Sequence, residues 1–159
     1  MLIRDLRADE TAFLREMLYT ALAWRPDRWL PPRALLLRIP QVSMFHKDWG
    51  RSGDTALVAE DGRAIGLAWY RFFTEAQHGE GFVDEQTPEL AVAVVDGYRG
   101  SGVGTALMEA IHARAREQDV GQISLSVDAD NPAKRLYERL GYVEYPPGHE
   151  HGRMVLQLS

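Results

Sequence analysis

ELAVAVVDGYRGSGVGT, residues 89–105, decides how this chain folds. Glu89 opens a near-continuous apolar run through Val95. Such a run fits a strand covered on both faces. Gly97–Gly104 then form a glycine-rich turn, and a helix is expected from about Val103 to Gln118, with Leu107, Ala110, Ile111 and Arg114 marking its inner face and edge. A helix start leaves backbone N–H groups unpaired and carries a partial positive charge, so it suits a phosphate. Glycines let the phosphate approach the backbone, and Arg99 adds a charge that a diphosphate can use. Two familiar loops fail by one essential residue. A Walker A loop from Gly97 needs lysine where Val103 stands, and a dinucleotide G-x-G-x-x-G from Gly100 needs glycine where Thr105 stands. A tight strand-to-helix turn that binds nothing is the plain alternative.

Working outward, Asp9 or Thr11 is placed to cap a first helix, and Phe13, Leu14, Met17, Leu18, Ala21 and Leu22 follow at helical spacing. Trp24–Asp54 holds three of the four tryptophans and four prolines, and predicts short helices at Arg33–Ile39 and about Val42–Trp49. Ala56–Glu60 and Ile65–Phe73 predict strands joined by an Asp61-Gly62 hairpin turn. Thr74–Thr87 is a polar loop rich in acid and glycine. After the central helix, Ile123–Val127 predicts a strand, Asn131-Pro132 opens a short helix that Gly141 closes, and Tyr142–Tyr145 and Met154–Leu158 predict closing strands. The order implies one mixed α/β domain over residues 1–159, with no linker to divide it.

Composition narrows the function. The 159 residues are 45% hydrophobic and 26% charged, the balance of a globular protein. There is no cysteine, which excludes a disulfide scaffold, a thiolate metal site and a cysteine nucleophile. The net charge of -5 argues against nucleic acid as a partner. MLIRDLRADE at the start carries no apolar h-region, and no apolar run reaches the ~20 residues that span a bilayer, so the expected location is the cytoplasm, with no membrane partner. His149-Glu150-His151 lacks a third ligand in view, so no metal is expected.

The glycine turn matches Arg/Gln-x-x-Gly-x-Gly/Ala, and residues 89–105 resemble the acetyl-CoA-binding motif of the GNAT family of N-acetyltransferases. SLSVDADNPAKRLYERLGY, residues 124–142, resembles that family's second motif, and the preceding meander fits the same fold. The resemblance implies a central mixed twisted sheet with helices on both faces, and acetyl-CoA as cosubstrate lying between Glu89–Val95 and Ile123–Val127. By resemblance, backbone groups at Ala93 and Val94 meet the pantetheine arm, and the Val94 N–H points at the thioester carbonyl. Arg99, Gly100, Gly102, Gly104 and Thr105 hold the diphosphate. Asn131 hydrogen-bonds the pantetheine or the nearby diphosphate end, a role compatible with capping the helix that starts at Pro132. Tyr137 protonates the leaving thiolate, although its spacing with Ala133, Leu136 and Leu140 also fits core packing.

Against the family's pattern Glu89 is the candidate to take the proton from the acceptor ammonium, directly or through water, since Ser126 stands where some members carry the base. A solvated strand end or an ion pair is the plain alternative for Glu89. Phe72 to Tyr98 contains no lysine or arginine but six acidic residues, which suits a small or peptide-like primary amine that is protonated in solution. Trp24, Trp29 and Trp49 wall an acceptor pocket or belong to the core. His78 is a spare base on the loop. The alternative class is a non-catalytic acyl-CoA sensor or regulatory module. An exposed sheet edge would favour a homodimer.

Overall fold

The computed structural model describes residues 1–148 and 152–159. The chain runs β1 (Leu2–Asp5), a 3-10 turn (Ala8–Glu10), α1 (Thr11–Leu22), α2 (Arg33–Leu36), α3 (Pro40–Ser43), β2 (Thr55–Glu60) and β3 (Ala64–Arg71). It continues through β4 (Glu89–Val94), α4 (Val103–Glu117), β5 (Gln122–Ser126), α5 (Ala133–Arg139), β6 (Val143–Glu144) and β7 (Arg153–Gln157). The strands are hydrogen-bonded in the order β1-β2-β3-β4-β5-β7-β6. The β1–β2, β2–β3, β5–β7 and β6–β7 pairs are antiparallel, and β4–β5 is parallel, so the sheet is mixed. Packing divides the chain into two compact units, Met1–Tyr70 with Ala91–Ile111, and Arg71–Leu90 with His112–Ser159.

In the first unit, Leu14, Met17 and Leu18 of α1 form one helical stripe by their spacing of three and four. They close on Ala56 and Val58 of β2 and on Leu67 and Trp69 of β3, alternate residues that share a sheet face. Burying each such side chain contributes about 1.5–3 kcal/mol. The Asp61-Gly62 turn forms as expected, with the Asp61 N–H donating to the Arg63 carbonyl at 2.8 Å. Gly66 of β3 has a packing reason to be glycine. A Cβ there would lie 2.9 Å from Leu107 Cδ1 and 3.3 Å from Val103 Cγ1. The missing side chain therefore seats the first turns of α4, and with them the glycine turn, close on the strand.

Two expectations for this unit change. The start of the chain, for which no strand is expected, supplies β1, which pairs Leu2–Asp5 with Leu57–Glu60. Arg4 then grips Glu10 with two bonds, at 2.8 and 2.9 Å. The expected helix at Arg33–Ile39 shortens to Arg33–Leu36, and in place of the one expected at about Val42–Trp49 a four-residue helix forms at Pro40–Ser43. Pro40 is the cause. It forces Ile39 into extended backbone at ψ 128°, ending one helix before the next begins. Trp49 packs on the α1 core, whereas Trp29 is 80% exposed.

In the second unit, β5 alternates Ile123 and Leu125 inward and pairs with β7, Ile123 opposite Leu156 and Leu125 opposite Met154. Glu89, at the head of β4, lies opposite Ser124 of β5. The segment 72–88 is less polar than its composition suggests. Phe73 and Phe82 are buried within it, and Thr87 accepts a hydrogen bond from Gln122 Nε2 at 3.1 Å. Among the described residues, no helix is long and apolar enough to cross a membrane.

Candidate active site

The glycine turn belongs to the first unit. Gly100 and Gly102 adopt φ of +76° and +89°, where L side chains are strained, and a Cβ at either would project into open space. The first bond of the α4 ladder runs from the Ala106 N–H to the Gly102 carbonyl at 3.0 Å. The amides of Val103, Gly104 and Thr105 therefore precede that ladder, at the positive end of a 15-residue helix. Arg99 is half exposed and pairs with the exposed Asp96 at 3.2 Å, a surface ion pair that holds its guanidinium weakly. Open space in front of left-handed glycines, helix amides and a half-exposed arginine together fit a diphosphate. On β4, Ala93 is buried and Val94 half-buried.

In the second unit Glu89 is neither a solvated strand end nor one that points outward. It is 2% exposed. Its Oε1 accepts the Gly79 N–H at 2.8 Å and its Oε2 accepts the Gly81 N–H at 3.2 Å. Burial pushes its pKa up, while the two amides and nearby His78 pull it down; burial dominates. A carboxylate so placed is a stronger base than one in water. It also fastens the loop. His78 stacks on Phe82 with ring centroids 4.2 Å apart, and Glu75, Glu80 and Glu85 lie exposed on the same segment. The absence of cations within the segment is partly offset from β7, because Arg153 donates to the Phe82 carbonyl at 2.8 Å.

Tyr137 is buried on α5, and burial pushes its phenol up to about 12. Leu136, Ala133 and Leu140 are only half-buried, so the tyrosine is the residue of that stripe that is taken fully inward. Asn131 caps the helix, its Oδ1 accepting the Ala133 N–H at 2.9 Å. Two further buried polar residues join this neighbourhood. Tyr142 packs on Tyr137 with centroids 5.8 Å apart, and its hydroxyl lies 2.8 Å from His112 Nε2. Neither stands out as a site residue in the sequence. His112 follows Ile111 on the inner face of α4, and a polar residue inside an apolar stripe is its only advance signal. His149-Glu150-His151 lies outside the described residues. Among the described residues no group of three or more His, Asp or Glu converges as metal ligands do.

The sequence model of the acetyltransferase (GNAT) family matches residues 16–142, most of the chain and both motif segments. The chain belongs to the GNAT acetyltransferase family. Among curated GNAT relatives it is similar to mycothiol acetyltransferase of Thermobispora bispora, 33% identical over 90 residues, which are 56% of this chain and 30% of that protein. It is also similar to L-methionine sulfoximine/L-methionine sulfone acetyltransferase of Pseudomonas aeruginosa, 36% identical over 95 residues, 58% of this chain and 52% of that one. The matched stretches span about half or less of those relatives. The fold is shared with a GNAT family acetyltransferase from Brucella melitensis solved in complex with acetyl-CoA, with a TM-score of 0.67 and 21% identity over 99% of this chain and 88% of that one.

Proposed function

We propose that the chain is an N-acetyltransferase that moves the acetyl group of acetyl-CoA directly to a primary amine of a small molecule or peptide, within a ternary complex. The observation that carries this reading is Glu89, a carboxylate buried at the head of the central strand, met by two backbone amides and made more basic by its burial. An amine must lose its proton before it attacks, and this group is suited to take it.

The roles follow the two motifs. Gly100, Gly102, Gly104 and Thr105, with Arg99, bind the coenzyme diphosphate. Ala93 and Val94 offer backbone groups to the pantetheine arm, and the Val94 N–H stabilises charge developing on the thioester oxygen. Asn131 keeps its side-chain carbonyl on the Ala133 amide and turns its NH2 toward the coenzyme. Glu89 takes one proton from the acceptor ammonium and later passes it to solvent. The freed nitrogen forms the C–N bond as the C–S bond breaks. Tyr137 gives its proton to the departing sulfur, and the N–H of the adduct, strongly acidic while nitrogen is positive, restores the phenol. Complete transfer from a phenol at about 12 to a free thiolate of ordinary basicity is uphill by about 5 kcal/mol. Tyr137 therefore acts while the C–S bond is breaking, and its recharging by the adduct proton is part of the same event.

The acceptor is proposed to be cationic before it reacts, on the strength of the exposed Glu75, Glu80 and Glu85. The names of the relatives add L-methionine sulfoximine and L-methionine sulfone to the range. The test is thiol release from acetyl-CoA with spermidine, an aminoglycoside, L-methionine sulfone, an alanine-terminated peptide and an acidic amine. Tyr137→Phe is expected to lower kcat by about 10²–10⁴ while acetyl-CoA still binds by calorimetry. Glu89→Gln is expected to remove the acid limb of the kcat/KM profile. Tight acetyl-CoA binding with no turnover on any amine, and indifference to both substitutions, would instead identify an acyl-CoA sensor.

A further inference from the structure

We infer that His112 and Tyr142 form a positioning pair that fixes the phenol of Tyr137, with Tyr142 as the bridge and His112 as the anchor. The inference rests on the reading of Tyr137 as the acid, and it starts from how α5 ends. That helix has seven residues, too few to be stable by itself. Its C-terminus is closed by the Tyr142 N–H donating to the Tyr137 carbonyl at 3.0 Å and the Gly141 N–H donating to the Glu138 carbonyl at 3.1 Å. Gly141 sits at φ +100°, as this two-bond closure requires. Tyr137 and Tyr142 are thus the two ends of one cap. Their rings meet at 59°, within the edge-to-face range.

A ring contact alone leaves Tyr142 free to slide. Its hydroxyl removes that freedom. The group is buried and must find a partner, and the partner is His112 Nε2 at 2.8 Å. His112 is itself 4% exposed, on α4, and its ring lies 5.6 Å from that of Tyr142. The chain of contact runs from α4 through a hydrogen bond, a ring edge and a shared cap to the phenol of Tyr137. Neither His112 nor Tyr142 touches the reacting atoms in this scheme. A merely structural pair would affect stability without regard to what stands at 137.

The test is a double-mutant cycle of Tyr142→Phe, His112→Leu and His112→Gln in the natural chain and in Tyr137→Phe, at a temperature where thermal melts show every variant folded. Substrates are acetyl-CoA and the fastest amine of the panel above. Tyr142→Phe and His112→Leu are expected to lower kcat by about tenfold with the KM for acetyl-CoA within about twofold, as displacement of a catalytic group does. His112→Gln, which can still hydrogen-bond the Tyr142 hydroxyl, is expected to recover most of the rate. In the Tyr137→Phe background none should matter further. Equal losses in both backgrounds would overturn the pair. The second readout needs no acceptor. In protein labelled with 3-fluorotyrosine, the Tyr137 fluorine resonance, assigned by Tyr137→Phe, should shift and broaden in Tyr142→Phe and stay put in His112→Gln. An unmoved resonance in Tyr142→Phe would overturn the pair even if His112→Leu fails to fold. Unchanged kcat in Tyr137→Phe would sink the acid role alone, leaving the fluorine result to judge the pair.

Discussion

At the scale of single residues, burial rather than residue type sets the chemistry. His112 shows this in its titration. Burial first, and Arg116 second, hold its pKa down to about 4 from 6.5. Between those values the unfolded chain takes a proton that the folded chain refuses, so stability rises with pH across that window and falls as acid is added. The loss between pH 7 and pH 4 is expected to be about 3 kcal/mol. Urea midpoints at the two pH values should show it, and in His112→Gln the acid loss should shrink by that amount. Glu89 works in the opposite sense, its raised pKa favouring the folded state as pH falls, so the comparison must be made between variants. The residue types at Glu89, Asn131 and Tyr137 were legible in the sequence because each stands at a fixed place in a motif. Their surroundings were not. Nothing in the string near Glu89 says that Gly79 and Gly81 turn their amides toward it, since that depends on how the segment 72–88 folds back. His112 and Tyr142 are 30 positions apart and meet only because a helix and a cap converge.

At the scale of elements, the strongly patterned ones were legible and the short ones were not. The strands and helices between Thr55 and Arg139 fall within one or two residues of their expected bounds, because their apolar spacing is reinforced by flanking turns. β1 and the two four-residue helices owe their form to partners or to Pro40, which no local period announces. Glycine inside a strand is the more informative case. In β3 a Cβ at residue 66 would press on Leu107, a side chain with no exposure, and would lie 3.2 Å from the Ala93 carbonyl. Gly66→Ala is therefore expected to cost about 1–3 kcal/mol by overpacking, read as a lower urea midpoint with an unchanged slope. A neutral result would mean that α4 yields without loss.

At the scale of the whole molecule, the family match runs through residues of both compact units, and β4 and α4 each begin in one unit and end in the other. Shared elements predict shared unfolding. The distribution of aromatic residues makes that measurable. Trp24, Trp29, Trp49 and Trp69 all fall in the first unit, while the second holds Tyr137, Tyr142 and Tyr145 and no indole. Tryptophan emission thus watches one half of the chain, and the fluorine resonances of Tyr137, Tyr142 and Tyr145, assigned one by one in 3-fluorotyrosine-labelled protein, watch the other. Superimposable urea transitions from the two are the expected result for one cooperative body. Two separated midpoints would divide the protein along a line that passes through its central strand.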